Sequence, residues 1–380
     1  MFEEVIHFIK ETFKQEGAIP LHKPRFGGNE KKYLLDTIDT TYVSSVGAYV
    51  DLFEEKLCMY TGAKHAVAVS SGTSGLHVAL KVAGVSSGSV VLTQPFTFVA
   101  TCNAISYLGA QPYFLDIDKN TLGLSYSSLQ AFLQEKVDVG EDGCSYLKES
   151  GQKVAACVPV HTYGHPVEID KITELCSKFG IVVVEDAAES LGSFYKGTHT
   201  GRFGKAGVFS FNGNKIITCG GGGAIVTDDT EYAAQVRHLT TQAKKTHSWE
   251  FYHDAVGYNY RMPNLNAALA VAQLEQLSTF LKNKRALATL YKDYFHRKGI
   301  ALVWEPSGAA SNFWLNAILL DNHKERDLFL EETNTAGIIT RPAWVLMNKL
   351  PIFKDSLKSD LSVAEALEGV LVNLPSSVRL

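Results

Sequence analysis

The chain has 380 residues, of which 46% are hydrophobic and 20% are charged, and its formal net charge is −4. These values are typical of a globular protein with more than one domain, and they exclude a strongly basic nucleic-acid-binding chain. No apolar run approaches the roughly 20 residues of a membrane-spanning helix. Glu3 and Glu4 stand where a signal peptide would be basic, so we expect a cytoplasmic protein without membrane or nucleic-acid partners.

Residues 1–22 are predicted to form an N-terminal arm that contains a helix. Its apolar side chains recur at helical spacing on one face. They are Val5, Ile6, Phe8, Ile9 and Phe13. We expect this face to pack on the body of the protein or on a partner subunit.

Seven short β-rich segments alternate with helical patterns in the next part of the chain, which we assign to a large domain of residues 23–245. The segments are 65–70, 89–94, 111–117, 155–161, 181–186, 206–211 and 223–229. Several are apolar on both faces, which is typical of a parallel sheet covered by helices on both sides. The pattern predicts a doubly wound α/β domain, with residues 138–153 as a solvated surface insertion.

After the seventh strand the pattern changes, and residues 246–380 are predicted to form a smaller α+β domain. A long helical pattern covers 265–299 and ends at Gly299. A strand is predicted over 311–320 and a helix over 324–337. No CxxC pair occurs among the six cysteines, so we predict no metal site.

Two features lie where predicted strands end, at the edge where open α/β sheets bind ligands. Small residues follow the strand that ends at Ser70, and the helix start with Thr73 and Ser74 suits a phosphate, although an ordinary strand–turn–helix junction looks the same. Phe98 follows another strand, where its ring can either cover a flat ligand or belong to the core.

Two charged residues complete the set. Asp186 closes an apolar strand, and it can either cap the next helix or bind a cationic nitrogen. Lys215 lies between Asn–Gly–Asn and the glycines 220–223; it is either a surface lysine or a Schiff-base nucleophile. A phosphate cradle, a covering ring, a carboxylate and a lysine are together the parts that bind pyridoxal 5′-phosphate.

The sequence resembles the DegT/DnrJ/StrS family of sugar-nucleotide aminotransferases over nearly its whole length. The motifs that carry the resemblance occur in order as "SSGTSGLHVAL", "PFTFVATCNAI", "VHTYGHP", "VEDAAESLGS", "FSFNGNKIITCGGGG", "GYNYRMPNLNAAL" and "NLPSS". The family has the fold type I architecture of pyridoxal phosphate-dependent transferases, with a mainly parallel seven-stranded sheet. Within it, "PLHKPRFGGNEKKY", "TYVSSVG" and "EDAAESLGSFYKG" look most like the LegC group, which aminates UDP-linked 4-keto-6-deoxy-2-acetamido sugars.

The resemblance implies a role for each matching residue. Lys215 would bond to the cofactor as a Schiff base, Asp186 would pair with the ring nitrogen, and Phe98 would stack on the ring. The residues expected to contact the rest of the cofactor are Gly72, Thr73, Ser74, Glu189 and Ser210, with Asn259 from the partner subunit of a homodimer. The residues expected to contact the substrate are Arg25, Ser44, Glu189, Asn212, His247, Tyr258 and Trp344.

The expected reaction is a transamination in bacterial surface-glycan or legionaminic acid-type sugar synthesis. L-Glutamate would convert the cofactor to pyridoxamine 5′-phosphate, which would then aminate the keto sugar. A dTDP- or GDP-linked sugar is the alternative substrate. Some relatives are dehydratases with histidine in place of the lysine, and Lys215 argues against that chemistry. A non-catalytic cofactor-sensing regulator is the other alternative, but such chains usually carry an added DNA-binding domain.

Overall fold

A computed structural model of the protein describes residues 2–15 and 17–379. Its helices are α1 (Glu3–Phe13), α2 (Glu30–Asp39), α3 (Ala48–Thr61), α4 (Gly72–Val82), α5 (Ala100–Ser106), α6 (Tyr126–Lys136), α7 (Ile169–Lys178), α8 (Thr230–Thr240), α9 (Asn264–Arg297), α10 (His323–Thr335) and α11 (Ser362–Val370). Short 3-10 turns span Thr162–Gly164 and Met347–Lys349. Within the described residues, no helix combines the length and the apolar character needed to cross a bilayer.

The strands of the first part of the chain are β1 (His65–Val69), β2 (Val90–Thr93), β3 (Gln111–Phe114), β4 (Val137–Val139), β5 (Ser145–Leu147), β6 (Lys153–Val158), β7 (Val182–Asp186), β8 (Phe194–Tyr195), β9 (Thr198–His199), β10 (Ala206–Ser210) and β11 (Gly223–Thr227). The later strands are β12 (Ala301–Leu302), β13 (Ala309–Ala310), β14 (Asn316–Leu319), β15 (Arg341–Pro342) and β16 (Leu371–Leu374).

The main sheet contains all seven strands that the sequence predicts, in the order β1-β11-β10-β7-β6-β2-β3. The pairs β10–β7, β7–β6, β6–β2 and β2–β3 are parallel, whereas β11 runs antiparallel to both of its neighbours. Strand residues such as Val91, Val184 and Val208 are fully buried because helices cover both faces. The predicted α/β, fold type I architecture is therefore confirmed.

The segment 138–153 is mostly exposed, as the sequence predicts, but it is also paired with the main sheet. It forms the hairpin β4–β5, and β5 pairs antiparallel with β6, so the sheet has nine strands in all. Ser145 and Leu147 are buried against the body of the protein. The glycines and charges of this segment indicated its turn, but they concealed the short alternating strands on either side.

The C-terminal part of the chain forms a four-stranded sheet in the order β12-β14-β16-β15, against which α1 and the end of α9 pack. Phe2, Ile9 and Phe329 share one buried cluster there, so the arm docks on its own chain. The arm then continues along this sheet, where Ile19 forms a parallel bridge with Ile338. The boundaries at residues 22 and 245 stay a prediction.

The buried His199 makes folding sensitive to mild acid. Its Nδ1–H donates to the Thr200 carbonyl (2.6 Å), and its Nε2 accepts from the Gly192 N–H (2.8 Å), so the neutral ring satisfies both bonds. Burial lowers the pKa of His199 to about 4. A lowered folded-state pKa in a base stabilises the fold above the unfolded pKa near 6.5, and that stability is lost as the pH falls toward 4.

We expect His199→Gln to remove part of this acid sensitivity. Between about pH 7 and pH 5, the wild type should lose about 2 kcal/mol more unfolding free energy than the variant. Glutamine is uncharged at both values and can still accept from Gly192. Urea unfolding of both proteins at the two pH values measures the difference. Equal losses in the two proteins would contradict the assignment.

Candidate active site

A cavity of about 360 Å³ lies at the edge of the main sheet where the parallel strands end. Its wall consists of Ser71, Gly72, Thr73, Leu76, Thr97, Phe98, Ala100, Thr101, Val160, Asp186, Ala188, Glu189, Ser210, Asn212, Asn214, Lys215, Gly221, Gly222, Trp314 and Trp344. Residues that follow β1, β2, β7 and β10 thus meet at one place, as expected for the carboxyl ends of neighbouring strands.

The first end of the cavity is the N-terminus of α4. Ser71 is the N-cap residue: its hydroxyl accepts from the Ser74 N–H (3.0 Å), and the Ser74 hydroxyl accepts from the Ser71 N–H (3.0 Å). This capping box fixes the direction of the helix start. The first N–H groups of a helix have no intrahelical acceptor, so those of Gly72 and Thr73 are available to an anion.

The last glycine of the run 220–223 packs against the N-terminus of α4, where a larger residue would not fit. A Cβ at Gly223 would lie 2.5 Å from the Ser71 carbonyl group and 2.7 Å from the Gly72 nitrogen. A Cβ at Gly72 would lie 2.8 Å from the Cβ of Ser210. Only glycine therefore lets β11 and α4 approach closely enough to form the cradle.

The second end of the cavity carries two buried carboxylates. Asp186 accepts from the Thr101 hydroxyl through Oδ2 (2.7 Å) and from the Ala188 N–H through Oδ1 (3.1 Å). Glu189 accepts from the Tyr163 N–H through Oε2 (2.8 Å). Burial raises the pKa of both carboxyl groups above their usual values. Negative charge here is costly to desolvate, so this end favours a cationic group of a ligand.

Lys215 lies on a closed loop between β10 and β11. The Phe211 N–H donates to the Gly222 carbonyl (2.8 Å), which joins the two ends of the loop. Gly220 has a φ of +82°, a left-handed conformation that glycine adopts without strain. Ile216 and Ile217 are buried beneath the loop, so the lysine side chain is directed from a fixed backbone.

The amine of Lys215 contacts two groups on the cavity wall. Its Nζ lies 3.3 Å from Oε1 of Glu189 and 4.1 Å from the centroid of the Trp314 ring. The side chain is only 12% exposed. The interpretation of Lys215 as an ordinary surface lysine therefore does not fit its surroundings.

Most of the predicted cofactor residues line the same cavity. They are Gly72, Thr73, Phe98, Asp186, Glu189, Ser210 and Lys215, joined by the predicted substrate residues Asn212 and Trp344. Phe98 is half exposed at the opening, with its ring 6.4 Å from that of Trp344. Ser74 departs from the prediction, because its hydroxyl caps α4 and does not line the cavity.

Five predicted residues lie elsewhere in the described chain. They are Arg25, Ser44, His247, Tyr258 and Asn259, and none is part of the cavity wall. Asn259 is exposed and its backbone forms an antiparallel bridge with Thr241, while the Tyr258 ring stacks on that of Tyr260 at 5.0 Å. The role predicted for Asn259 involves a second subunit, the other four are predicted substrate contacts, and all five roles stay predictions.

The structure adds residues that the sequence did not single out. Thr101 lies on the first turn of α5, which begins two positions after Phe98, and both residues line the cavity. Trp314 comes from the C-terminal part of the chain. It was assigned to a predicted strand over 311–320, but only residues 316–319 form β14, and Phe313 has a positive φ of 49°.

The residues of this cavity fit pyridoxal phosphate. One end offers helix N–H groups and the Ser210 hydroxyl to a phosphate, and the other offers Asp186 to a protonated ring nitrogen. The Lys215 amine and the Phe98 ring line the same cavity. The cavity therefore offers hydrogen-bond donors for the anionic phosphate of the cofactor and a carboxylate for its cationic ring nitrogen.

Comparisons with known proteins agree with this geometry. Residues 24–380 match the model of the DegT/DnrJ/EryC1/StrS aminotransferase family. The chain is 36% identical over 367 residues to EpsN of Bacillus subtilis (strain 168), covering 95% of this chain and 92% of EpsN, whose name proposes pyridoxal phosphate-dependent aminotransferase activity. It is 35% identical over 358 residues to the GDP-perosamine synthase of Escherichia coli O157:H7, covering 94% of this chain and 93% of that enzyme.

Among solved structures, the aminotransferase TlmJ from Streptoalloteichus hindustanus superposes with a TM-score of 0.85 at 25% identity, covering 95% of this chain and 94% of TlmJ. The match therefore extends over nearly the whole fold. The chain belongs to the DegT/DnrJ/EryC1/StrS aminotransferase family and is a pyridoxal phosphate-dependent sugar aminotransferase.

Proposed function

We propose that the protein transfers the amino group of L-glutamate to the keto carbon of a GDP-linked 4-keto-6-deoxy sugar. The observation that carries the reaction class is the convergence of Lys215, Asp186 and the α4 N-terminus on one cavity. The nucleotide rests on the relatives: the sequence motifs favoured a UDP-linked acetamido sugar, whereas the Escherichia coli relative is a GDP-perosamine synthase at 35% identity.

Each group of the cavity has a part in this reaction. The N–H groups of Gly72 and Thr73, with the Ser210 hydroxyl, would bind the phosphate, and the Asp186 carboxylate would hold the ring nitrogen protonated through a charge-assisted hydrogen bond. When bound, pyridoxal phosphate supplies a ring that accepts the electron pair left at the reacting carbon. Phe98 would cover that ring and limit the access of water.

Lys215 would move the proton. Its neutral Nζ can remove the proton from Cα of glutamate and, as an ammonium, can return one to C4 of the sugar. The Glu189 carboxylate accepts a hydrogen bond from this nitrogen (3.3 Å) and so holds it at the cavity wall. Since the whole chain matches family members that we expect to act as dimers, we further propose a homodimer in which Asn259 reaches the cofactor phosphate of the partner's site.

Turnover of a substrate panel tests the proposed substrate. The purified enzyme is given L-glutamate with GDP-, UDP- or dTDP-linked 4-keto-6-deoxy sugars, and 2-oxoglutarate formation and the aminated sugar are measured. We expect amination of the GDP-linked sugar, with the Lys215→Ala variant as the inactive control. Amination of only the UDP-linked acetamido sugar would overturn the GDP assignment, and failure with every nucleotide sugar would overturn the function.

A further inference from the structure

Two side chains of the protein itself contact the Lys215 amine. Its Nζ contacts the Glu189 carboxylate and the face of the Trp314 indole. Lys215 also acts electrostatically on two other titratable groups, the Asp186 carboxyl on the cavity wall and the buried His22 imidazole, whose pKa is lowered by burial and by Lys284 and Lys215. A carboxylate and an aromatic face both stabilise an ammonium ion, so the pair is suited to a free, protonated lysine.

Trp314 is held at three points. Its backbone N–H donates to Oδ1 of Asn312 (2.8 Å), and its indole Nε1–H donates to the carbonyl of Asn214 (2.7 Å), the residue before Lys215. Its own carbonyl accepts from Nζ of Lys284 (3.1 Å). The indole is therefore fixed relative to the lysine loop on one side and to the long helix α9 on the other.

Asn312 links Glu189 and Trp314, the two residues whose side chains contact the Lys215 amine. Its Nδ2 donates to the backbone carbonyls of Glu189 (2.8 Å) and Leu191 (2.9 Å), while its Oδ1 accepts from Trp314. The backbones of Glu189 and Trp314 are thus connected through one buried amide. Their spacing is set before any ligand binds.

Lys284 is an unusual anchor for this arrangement. Its side chain is fully buried in α9, and its Nζ donates to the carbonyls of Trp314 (3.1 Å) and Ser376 (2.5 Å). Among the described residues, no carboxylate pairs with it. Burial lowers its pKa to about 7. Burying a lysine without a carboxylate partner is costly, and its two hydrogen bonds to main-chain carbonyls offset part of that cost.

We propose that Glu189 and Trp314 form a receiving site for the Lys215 ammonium while that side chain is not bonded to the cofactor, and that Lys284 is the positioning residue that keeps Trp314 in place. This inference rests on the proposed function, because a transaminase releases its lysine in each half-reaction and needs the amine to stay near. The receiving site keeps Nζ at the cavity wall, where it can take up and return the proton.

Differential labelling of the cofactor-free full chain tests this proposal without any turnover. The protein is treated with a trace of acetic anhydride, and the acetylation rate of Lys215 is measured by mass spectrometry. Near neutral pH, Trp314→Leu should label about two- to thirty-fold faster, because the amine loses the cation–π contact that holds it against the cavity wall. Lys284→Met should act in the same direction with a smaller increase.

The pH dependence separates this effect from simple access to reagent. Above about pH 11, where lysine amines are largely unprotonated, the increase should disappear. An increase that is equal at both pH values would mean that the variants only open the cavity, and it would overturn the proposal.

Tyr291→Phe is the matched control for loss of packing. Tyr291 also lies on α9, and its hydroxyl donates to the Pro375 carbonyl (2.8 Å), next to the Ser376 carbonyl that Lys284 contacts. The control removes a tether of the same segment but leaves Trp314 untouched, so Lys215 should label as in the wild type. Faster labelling in this control, or unchanged labelling in Trp314→Leu, would overturn the proposal, and neither result depends on the enzyme having a sugar substrate.

Discussion

Replacing Lys215 by alanine is expected to lower kcat by at least about 10³-fold, because the variant loses both its covalent bond to the cofactor and its proton-transfer group. The backbone of the lysine loop should keep its shape, since the loop is closed by the Phe211–Gly222 hydrogen bond and by buried Ile216 and Ile217. The variant should therefore fold and still bind cofactor phosphate at α4.

Borohydride reduction followed by peptide mass spectrometry measures the covalent part of this prediction. In the wild type the cofactor should be fixed on the peptide that contains Lys215, and in Lys215→Ala no peptide should carry it. Lys178→Ala is the control: this lysine is exposed on α7 and pairs with Glu174 (2.7 Å), so activity and labelling should stay at wild-type values. A borohydride-stable adduct on another lysine of the alanine variant would disprove the assignment.

The main sheet could be predicted from the sequence because its strands are buried on both faces. Segment 181–186 is apolar up to its last two residues, which end in Asp186, and segment 206–211 is apolar except for Ser210 near its end. A sharp change from apolar to polar residues at the end of a strand is visible without any tertiary information. The same signal therefore predicted both the strands of the sheet and the polar site residues near their ends.

The rest of the site depends on contacts that no local pattern encodes. Trp314 reaches Lys215 from 99 positions away in the sequence, and the segment before β14 leaves the extended conformation at Phe313. From the sequence, Lys284 would be an exposed polar residue on a long helix. In the structure it is fully buried, because the segment near the chain terminus that contains Ser376 packs over it. Such residues are fixed by the packing of distant segments, so periodicity and spacing could not identify them.

Asp186→Asn is expected to lower kcat by about 10²- to 10³-fold while making the cofactor-free protein more stable at neutral pH. The amide has the same shape but no negative charge with which to hold a ring nitrogen protonated. Burial raises the pKa of Asp186, so this carboxyl supports folding fully only below its unfolded pKa, and that support is lost as the pH rises through the folded pKa. At neutral pH the buried charge is therefore unfavourable for folding, and asparagine removes it.

Opposite changes in activity and stability distinguish a functional carboxylate from a structural one. Asparagine can still accept from Ala188 through its oxygen, and it can donate to the Thr101 hydroxyl, which in turn can donate to Thr97 (2.9 Å).

Thr101→Val is the matched control, because it keeps the Asp186 charge and removes one of the hydrogen bonds to that carboxylate. It should lower both activity, by about tenfold, and stability. Kinetics of the loaded enzymes and urea unfolding of the cofactor-free proteins measure the two quantities. If Asp186→Asn were less stable than the wild type at neutral pH, the carboxylate would be a structural cap of the 187–190 turn, and its assignment to the ring nitrogen would be wrong.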